Sequence, residues 1–448
     1  MFKRFVKIIC LTACAIAISI SAVTQAKAQG LVVDAKASLL MEAETGKILV
    51  ENNPHEKLAP ASVTKVMTML LIYEALDQER IKWDDMVTTS AHAASMGGSQ
   101  IFLEEGEQQS VRDLTKAIVI ASANDAAVAM AEFIAGSEEA FVSMMNTKAK
   151  ALGMDNTNFV NSCGLDATGH LTTAYDIALM SRDLILNYPD VFKFSTTRLD
   201  KITHTTARGQ EEFGLTNTNK LIRNYTGTTG LKTGSTSEAL YCISATAEKE
   251  GMHLIAVVLG APDPTIRFDS AMKLLDYGYS NFALIAKEES GTTMGEIKVF
   301  KGKVEQVPVV IKQQTNVLVP KGKHIVIDSE VRIKDALDAP VAVGQTAGEV
   351  VYTHEGQEVG RSELVVAEDV AKASPQDIMD RMFKQWMFKG EAEIENTEIE
   401  DKEEEQKEEK EETADDPQSF LLDRAENAVE AITNLQASRD KYSEKQRR

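Results

Sequence analysis

The sequence predicts an α+β protein in which a large mixed domain precedes a small all-β domain and a C-terminal amphipathic helix. Three observations carry that reading. Strand-like alternation near both ends of the stretch up to about Leu284 brackets five helical patterns. After about Gly295 the helical spacing gives way to short alternating runs punctuated by Gly and Pro. An apolar, aromatic stripe at helical spacing then runs from Pro375 to Lys389. With 448 residues, 43% of them hydrophobic, the chain can bury a full core, which excludes a wholly disordered protein.

The N-terminus comes first. A basic start (Lys3, Arg4, Lys7), an apolar stretch from Ile8 to Val23 and the small-residue site Ala26-Lys27-Ala28 read as a secretory signal peptide spanning residues 1–28. A transmembrane anchor needs a longer apolar run, and a lipid-attachment site at Cys14 has too short a stretch before it. Removal of the signal takes Cys10 and Cys14 with it. Cys163 and Cys242 remain, too few for a disulfide framework, and Cys242 falls in an alternating stretch where a small buried side chain belongs. The seven histidines are scattered, with no cluster at metal-ligand spacing, so neither a metal nor a cofactor is expected.

Residues 29–284 form the mixed domain. Leu39 to Leu49 reads as a hairpin turning at Thr45-Gly46, and Tyr241 to Gly260 as two strands turning at Glu250-Gly251. Helical patterns run from Ser62 to Leu76, Val111 to Ala121, Asp125 to Ala135, Glu138 to Leu152 and Ala174 to Leu186. Residues 295–366 give the short strands Val307 to Ile311, Asn316 to Val319, His324 to Ile327 and Glu349 to Tyr352, a spacer or docking domain without a reactive cluster. In residues 375–389, Ile378, Met379, Met382, Phe383, Trp386 and Met387 make one greasy face, while Arg381, Lys384, Gln385 and Lys389 fall largely elsewhere. That pattern suits a helix lying in a membrane interface. Residues 391–416 hold 15 carboxylates against 3 lysines, a run too charged to fold, and residues 419–448 regain apolar helical spacing in a terminal helix of unknown role. The tail supplies most of the net charge of −20, so acidity describes the tail rather than a substrate, and it argues against nucleic-acid binding.

Three short motifs in the mixed domain carry chemistry. Ser62-Val63-Thr64-Lys65 opens a helix, which places Lys65 one turn from Ser62 on the same face, where a desolvated amine can take the serine proton. Backbone amides at the helix start can help hold an oxyanion. Ser122-Ala123-Asn124 lies between two helices. There Ser122 can relay protons to a leaving amine and Asn124 can bind a substrate carbonyl, although helix capping explains the same residues. Lys232-Thr233-Gly234 precedes the hairpin of residues 241–260 and reads as the first strand of its sheet. Gly234 lets an extended peptide approach, and Lys232 with Thr233 offers a clamp for a terminal carboxylate.

S-x-x-K, S-x-N and K-T-G in this order form a signature of penicillin-binding proteins and class A β-lactamases. With Asn161-Ser162-Cys163-Gly164-Leu165, His170-Leu171-Thr172-Thr173-Ala174, and Arg267 ahead of Leu274-Leu275-Asp276-Tyr277-Gly278, the chain resembles the low-molecular-weight penicillin-binding proteins, the D-alanyl-D-alanine carboxypeptidases of the S11 peptidase type. The resemblance covers about Val33 to Val366. It implies a β-lactamase/transpeptidase-like domain with a helical cluster on an antiparallel sheet. It also implies attack by Ser62 on peptidoglycan stem peptides ending in D-Ala-D-Ala, β-lactams as covalent inhibitors, and an exported enzyme on the outer face of the cytoplasmic membrane. Two features depart from the pattern: Ser235 follows K-T-G where some relatives carry histidine, and an acidic tail lies beyond the amphipathic helix. Met154 to Ala174 holds no glutamate to drive β-lactamase deacylation. A DD-endopeptidase and an idle penicillin-binding scaffold are the remaining alternatives, and intact motifs weigh against the scaffold.

Overall fold

A computed structural model describes residues 31–206, 209–322, 325–383 and 386–387. The predicted signal peptide (1–28), the acidic run (391–416), the terminal helix (419–448), and Lys384, Gln385 and Lys389 of the amphipathic stretch lie outside the described residues. The described residues fall into two compact units. The first ends its main run at Met294 and adds Val310–Ile333 and Gly348–Leu364; the second comprises Gly295–Val309, Lys334–Ala347 and the described residues from Val365.

In the first unit the chain opens with strands β1 (Ala37–Glu42) and β2 (Ile48–Asn52). Their turn is built by Glu42, whose carboxylate accepts the backbone N–H groups of Glu44 and Thr45 at 2.9 and 2.7 Å, with Gly46 in the left-handed region at φ 70°. A 3-10 turn, Ala61–Thr64, leads into helix α1 (Lys65–Asp77). Short elements follow: β3 (Met86–Thr88), α2 (Ala91–Ala94), β4 (Gln108–Ser110) and α3 (Val111–Lys116), which runs into a π-helical turn over Ala117–Ala121. Helices α4 (Asn124–Ala135), α5 (Glu138–Ala151) and α6 (Ala174–Asn187) complete the helical cluster. Next come α7 (Phe192–Ser195), β5 (Leu199–Thr206), β6 (Gly209–Thr216) and α8 (Leu221–Asn224). The last section is β7 (Thr228–Thr236), β8 (Leu240–Lys249), β9 (Met252–Ala261) and α9 (Pro264–Asn281).

Five strands form an antiparallel sheet in the order β2-β1-β9-β8-β7. Its central strands are buried on both faces, so β1 and β9 read as apolar runs whose alternate residues serve different cores. Leu39, Met41, Ile255 and Val257 join the core of α1, α4 and α6. Leu40, Leu254, Ala256 and Val258 face Phe268, Ala271, Leu274 and Leu275 of α9. Helix α1 is buried almost all round, as its apolar sequence requires, and a side chain such as Leu70 or Ile72 contributes roughly 2 kcal/mol by leaving water. A lysine at the head of such a helix is desolvated with it.

From Phe282 to the helix at 375, the described residues form strands only: β10 (Phe282–Ala286), β11 (Thr293–Phe300), β12 (Gln306–Ile311), β13 (Asn316–Pro320), β14 (Asp328–Ile333), β15 (Ala336–Asp338), β16 (Thr346–His354) and β17 (Gln357–Val366). In the first unit β10 pairs with β13, and β14 with β16, both antiparallel. In the second unit β11 pairs with β15 in parallel. The strand expected at His324 to Ile327 is a correction: His324 is outside the described residues, and the strand starts at Asp328, where pairing with Thr353 begins. Val326 points its apolar side chain to solvent, so the alternation there reports no core face. The hairpin of β5 and β6 and helix α9 were not foreseen as elements. In the hairpin nearly every position is polar or exposed, which leaves little period-2 signal, whereas α9 announces itself by Asp263, whose carboxylate caps Thr265 and Ile266 ahead of Pro264.

Candidate active site

The seven residues singled out from the motifs come from three elements of the first unit: the turn into α1, the junction between the π-helical turn and α4, and strand β7. Ser62 lies in the 3-10 turn behind Ala61, a non-glycine residue held at φ 48°. Lys65 is fully buried, and its Nζ donates to Ser62 Oγ at 3.0 Å, Asn124 Oδ1 at 2.6 Å and the Cys163 carbonyl at 2.7 Å. Burial lowers its pKa to about 8, against the opposing pull of Cys163 and Asp125. An amine so placed gives up its proton near neutral pH while in hydrogen-bond reach of a hydroxyl.

The second motif does not cap α4. Ala123 holds the N-cap position with no side-chain bond, and Ser122 closes the π-helical turn in a left-handed conformation, φ 64° and ψ 30°. Asn124 directs Oδ1 to Lys65 and donates from Nδ2 to the Gly97 carbonyl at 2.7 Å. Helix capping is thereby excluded as the explanation of these residues. Asp125, the next residue, collects the amides of Ile101 and Leu103 at 3.0 and 3.1 Å, pinning the loop beside Asn124. Ser122 is buried at this junction but makes no hydrogen bond to Ser62 or Lys65 among the described residues.

The third motif sits on β7, the outermost strand of the five-stranded sheet. Gly234 packs so closely that a Cβ there would lie 2.8 Å from Ser62 N and 2.9 Å from Val63 N. Lys232 is buried, with Nζ donating to the Thr233 carbonyl at 3.0 Å, and Thr233 Oγ1 donates to Thr218 Oγ1 at 2.8 Å. Burial first, then Lys65 and Arg267, push the Lys232 pKa well below the usual amine range. Arg267 braces the strand from behind, donating to the Gly234 and Cys242 carbonyls at 3.2 and 3.4 Å while its guanidinium rests 4.4 Å from the Phe268 ring centre. An arriving carboxylate would favour the charged form of Lys232 and so oppose the lowering of its pKa.

Four supports lie outside the three motifs: the Cys163 carbonyl, Asp125, Arg267 and His170, of which Cys163, His170 and Arg267 stand in the segments that carry the resemblance while their contacts leave no mark in the sequence. Val160 N–H donates to His170 Nδ1 at 3.0 Å, His170 Nε2 meets Thr64 Oγ1 at 2.8 Å, and Thr64 Oγ1 donates to the Ala61 carbonyl at 2.9 Å. Such a chain requires a neutral imidazole with its proton on Nε2. Cys163 and Cys242 are both buried free cysteines.

Comparison with known proteins gives a family. A model of the D-alanyl-D-alanine carboxypeptidase family matches residues 22–263, and one described as penicillin-binding protein 5, C-terminal domain, matches residues 279–372. The chain is similar to D-alanyl-D-alanine carboxypeptidase DacF of Bacillus subtilis (strain 168), 45% identical over 354 residues, which span 79% of this chain and 90% of that one. It is similar also to D-alanyl-D-alanine carboxypeptidase DacC of Escherichia coli (strain K12), 35% identical over 366 residues, with 79% and 90% covered. Among solved structures, penicillin binding protein 5 from Haemophilus influenzae matches with a TM-score of 0.67 and 33% identity, covering 76% of this chain and 98% of that chain.

Proposed function

The chain belongs to the D-alanyl-D-alanine carboxypeptidase family, and from that premise we propose that Ser62, Lys65 and Ser122 carry its chemistry while Asn124, Lys232, Thr233 and Gly234 hold the substrate. The protein is a serine-type hydrolase that removes the terminal D-alanine from peptidoglycan stem peptides and is acylated by β-lactams. The observation that supports the residue assignment best is the buried Lys65 amine, 3.0 Å from Ser62 Oγ with its pKa lowered to about 8.

Neutral Lys65 takes the Ser62 proton as Oγ attacks the penultimate D-alanine carbonyl; a C–O bond forms and an electron pair moves onto the carbonyl oxygen. The Ser62 amide, in the 3-10 turn ahead of α1, stabilises that oxygen, and Gly234, lacking a side chain, leaves space beside it. As the carbonyl re-forms, the C–N bond breaks and the departing nitrogen receives the proton from Lys65 through Ser122. Water then attacks the ester, passing its proton to Lys65, and Ser62 Oγ recovers a proton as the acid leaves. Lys232 and Thr233 hold the terminal carboxylate, and the second Nδ2 hydrogen of Asn124 serves a substrate carbonyl. The outer edge of β7 pairs with the extended peptide.

The C-terminal helix supports a peripheral membrane position on the outer face of the cytoplasmic membrane, in keeping with export by the predicted signal peptide. Helix α10 (375–383) starts with a reciprocal cap in which Asp377 N–H donates to Ser374 Oγ and Ser374 N–H to Asp377 Oδ2. Ile378, Met379, Met382, Phe383, Trp386 and Met387 are all exposed, Met379 at 69% and Trp386 at 74%. That surface fits insertion into headgroups, and no helix among the described residues is long and apolar enough to cross a membrane.

Release of free D-alanine from a soluble peptide ending in D-Ala-D-Ala tests the assignment. The Ser62→Ala variant should release none and retain no covalent penicillin. Release at the unaltered rate would remove Ser62 from the mechanism.

A further inference from the structure

Lys65 has a partner outside the three motifs, the Cys163 carbonyl at 2.7 Å. That carbonyl belongs to a tight loop in which Asn161 Oδ1 accepts the amides of Gly164 and Leu165 at 2.6 and 3.2 Å. Two helices fasten the residue before it. From α1, Thr68 Oγ1 donates to the Ser162 carbonyl at 2.5 Å. From the first turn of α5, Glu138 Oε1 accepts both donors of Ser162, the N–H at 2.9 Å and the hydroxyl at 2.7 Å. The other carboxylate oxygen, Oε2, lies 2.9 Å from His92 Nε2 on α2. Both oxygens of one carboxylate are therefore committed, one to the loop and one to a side chain that steadies the carboxylate itself.

We propose that Glu138 is a positioning residue for Lys65: by holding both donors of Ser162 it aims the adjoining Cys163 carbonyl at the Lys65 amine. The inference rests on Lys65 as the general base. A carbonyl accepting from an ammonium stabilises the charged form, so its alignment sets the pH at which the base becomes available. The other groups facing Lys65 are Ser62, Asn124, Asp125, the Cys163 thiol and Lys232; those facing the Glu138–His92 pair are Glu132 and Glu139. None of these replaces the Cys163 carbonyl if the loop shifts.

The test is the pH dependence of kcat/KM for a D-Ala-D-Ala peptide, and of covalent acylation by penicillin, in the full-length enzyme and its Glu138→Ala, Glu138→Gln and Ser162→Ala variants. In wild type both rates rise with pH as Lys65 loses its proton. In Glu138→Ala the carbonyl drifts, the ammonium loses support, and the acid limb should move to lower pH by about half a unit or more. The plateau should fall about ten-fold from misplacement of the base. Glutamine keeps an acceptor for both Ser162 donors, so Glu138→Gln should restore the wild-type limb. Ser162→Ala removes half of the clamp and serves if Glu138→Ala does not fold; its limb should move in the same direction. An unmoved limb in the alanine variants, or an equal shift in Glu138→Gln, overturns the proposal. A wild-type profile with no acid limb overturns the general-base reading and this inference with it.

Discussion

Gly234 shows how much a single position is asked to do at the residue scale. Its α-carbon lies where any side chain would press on the amides of Ser62 and Val63, and those contacts are backbone, which cannot swing away. Substitution Gly234→Ala should therefore displace β7 from Ser62 and lower the penicillin acylation rate by about 10²-fold, the scale on which an ångström of misplacement acts. A thermal midpoint within a few degrees of wild type would confirm that the loss is local; undiminished acylation would show that the strand can yield. Asn124 makes the complementary point. Its amide is divided between Lys65 and the Gly97 carbonyl, and Gly98 leaves the room, since a Cβ there would approach Asn124 Nδ2 to 2.9 Å.

At the scale of elements, two histidines, one buried and one partly buried, tie segments together in their neutral form. His170 links the 158–172 segment to the turn that bears Ser62. His253 on β9 joins β7 through Thr229 Oγ1 at 2.8 Å, and Thr229 in turn bonds Thr246 on β8. Burial lowers both pKa values from about 6.5 to about 4. As pH falls, the unfolded chain takes up these protons first. Each histidine's contribution is therefore complete above pH 6.5 and fades toward pH 4, by about 3 kcal/mol apiece over the whole window. Urea midpoints should accordingly drop between pH 7 and 5, and His253→Gln, which cannot titrate, should drop less than wild type. Equal drops would mean that His253 is not held neutral. The π-helical turn after α3 belongs to this scale as well: it ends the helix in the left-handed Ser122 and so presents the second motif at a corner.

At the scale of the whole molecule, chemistry and membrane attachment are predicted to separate. A chain ending before Pro375 lacks the exposed methionine, phenylalanine and tryptophan face. It should stay soluble when liposomes containing anionic lipid are floated, while its D-alanine release stays within two-fold of the full chain. Flotation of the truncated chain would end the anchor reading. The α+β class, the five helical patterns, the two hairpins and the candidate nucleophile with its base are legible in the sequence, because apolar period and turn chemistry are local and Ser62 and Lys65 lie one helical turn apart. Membership in the family was legible as well, through three motifs in a fixed order. Only tertiary structure decided what surrounds that pair. Cys163, Glu138 and Arg267 reach the site from 98, 73 and 202 residues beyond Lys65, and no period or spacing reports contacts across such separations. Burial had the same origin: Lys65 is an ordinary lysine in the sequence, and packing of α1 among its neighbours is what strips it of water and lowers its pKa.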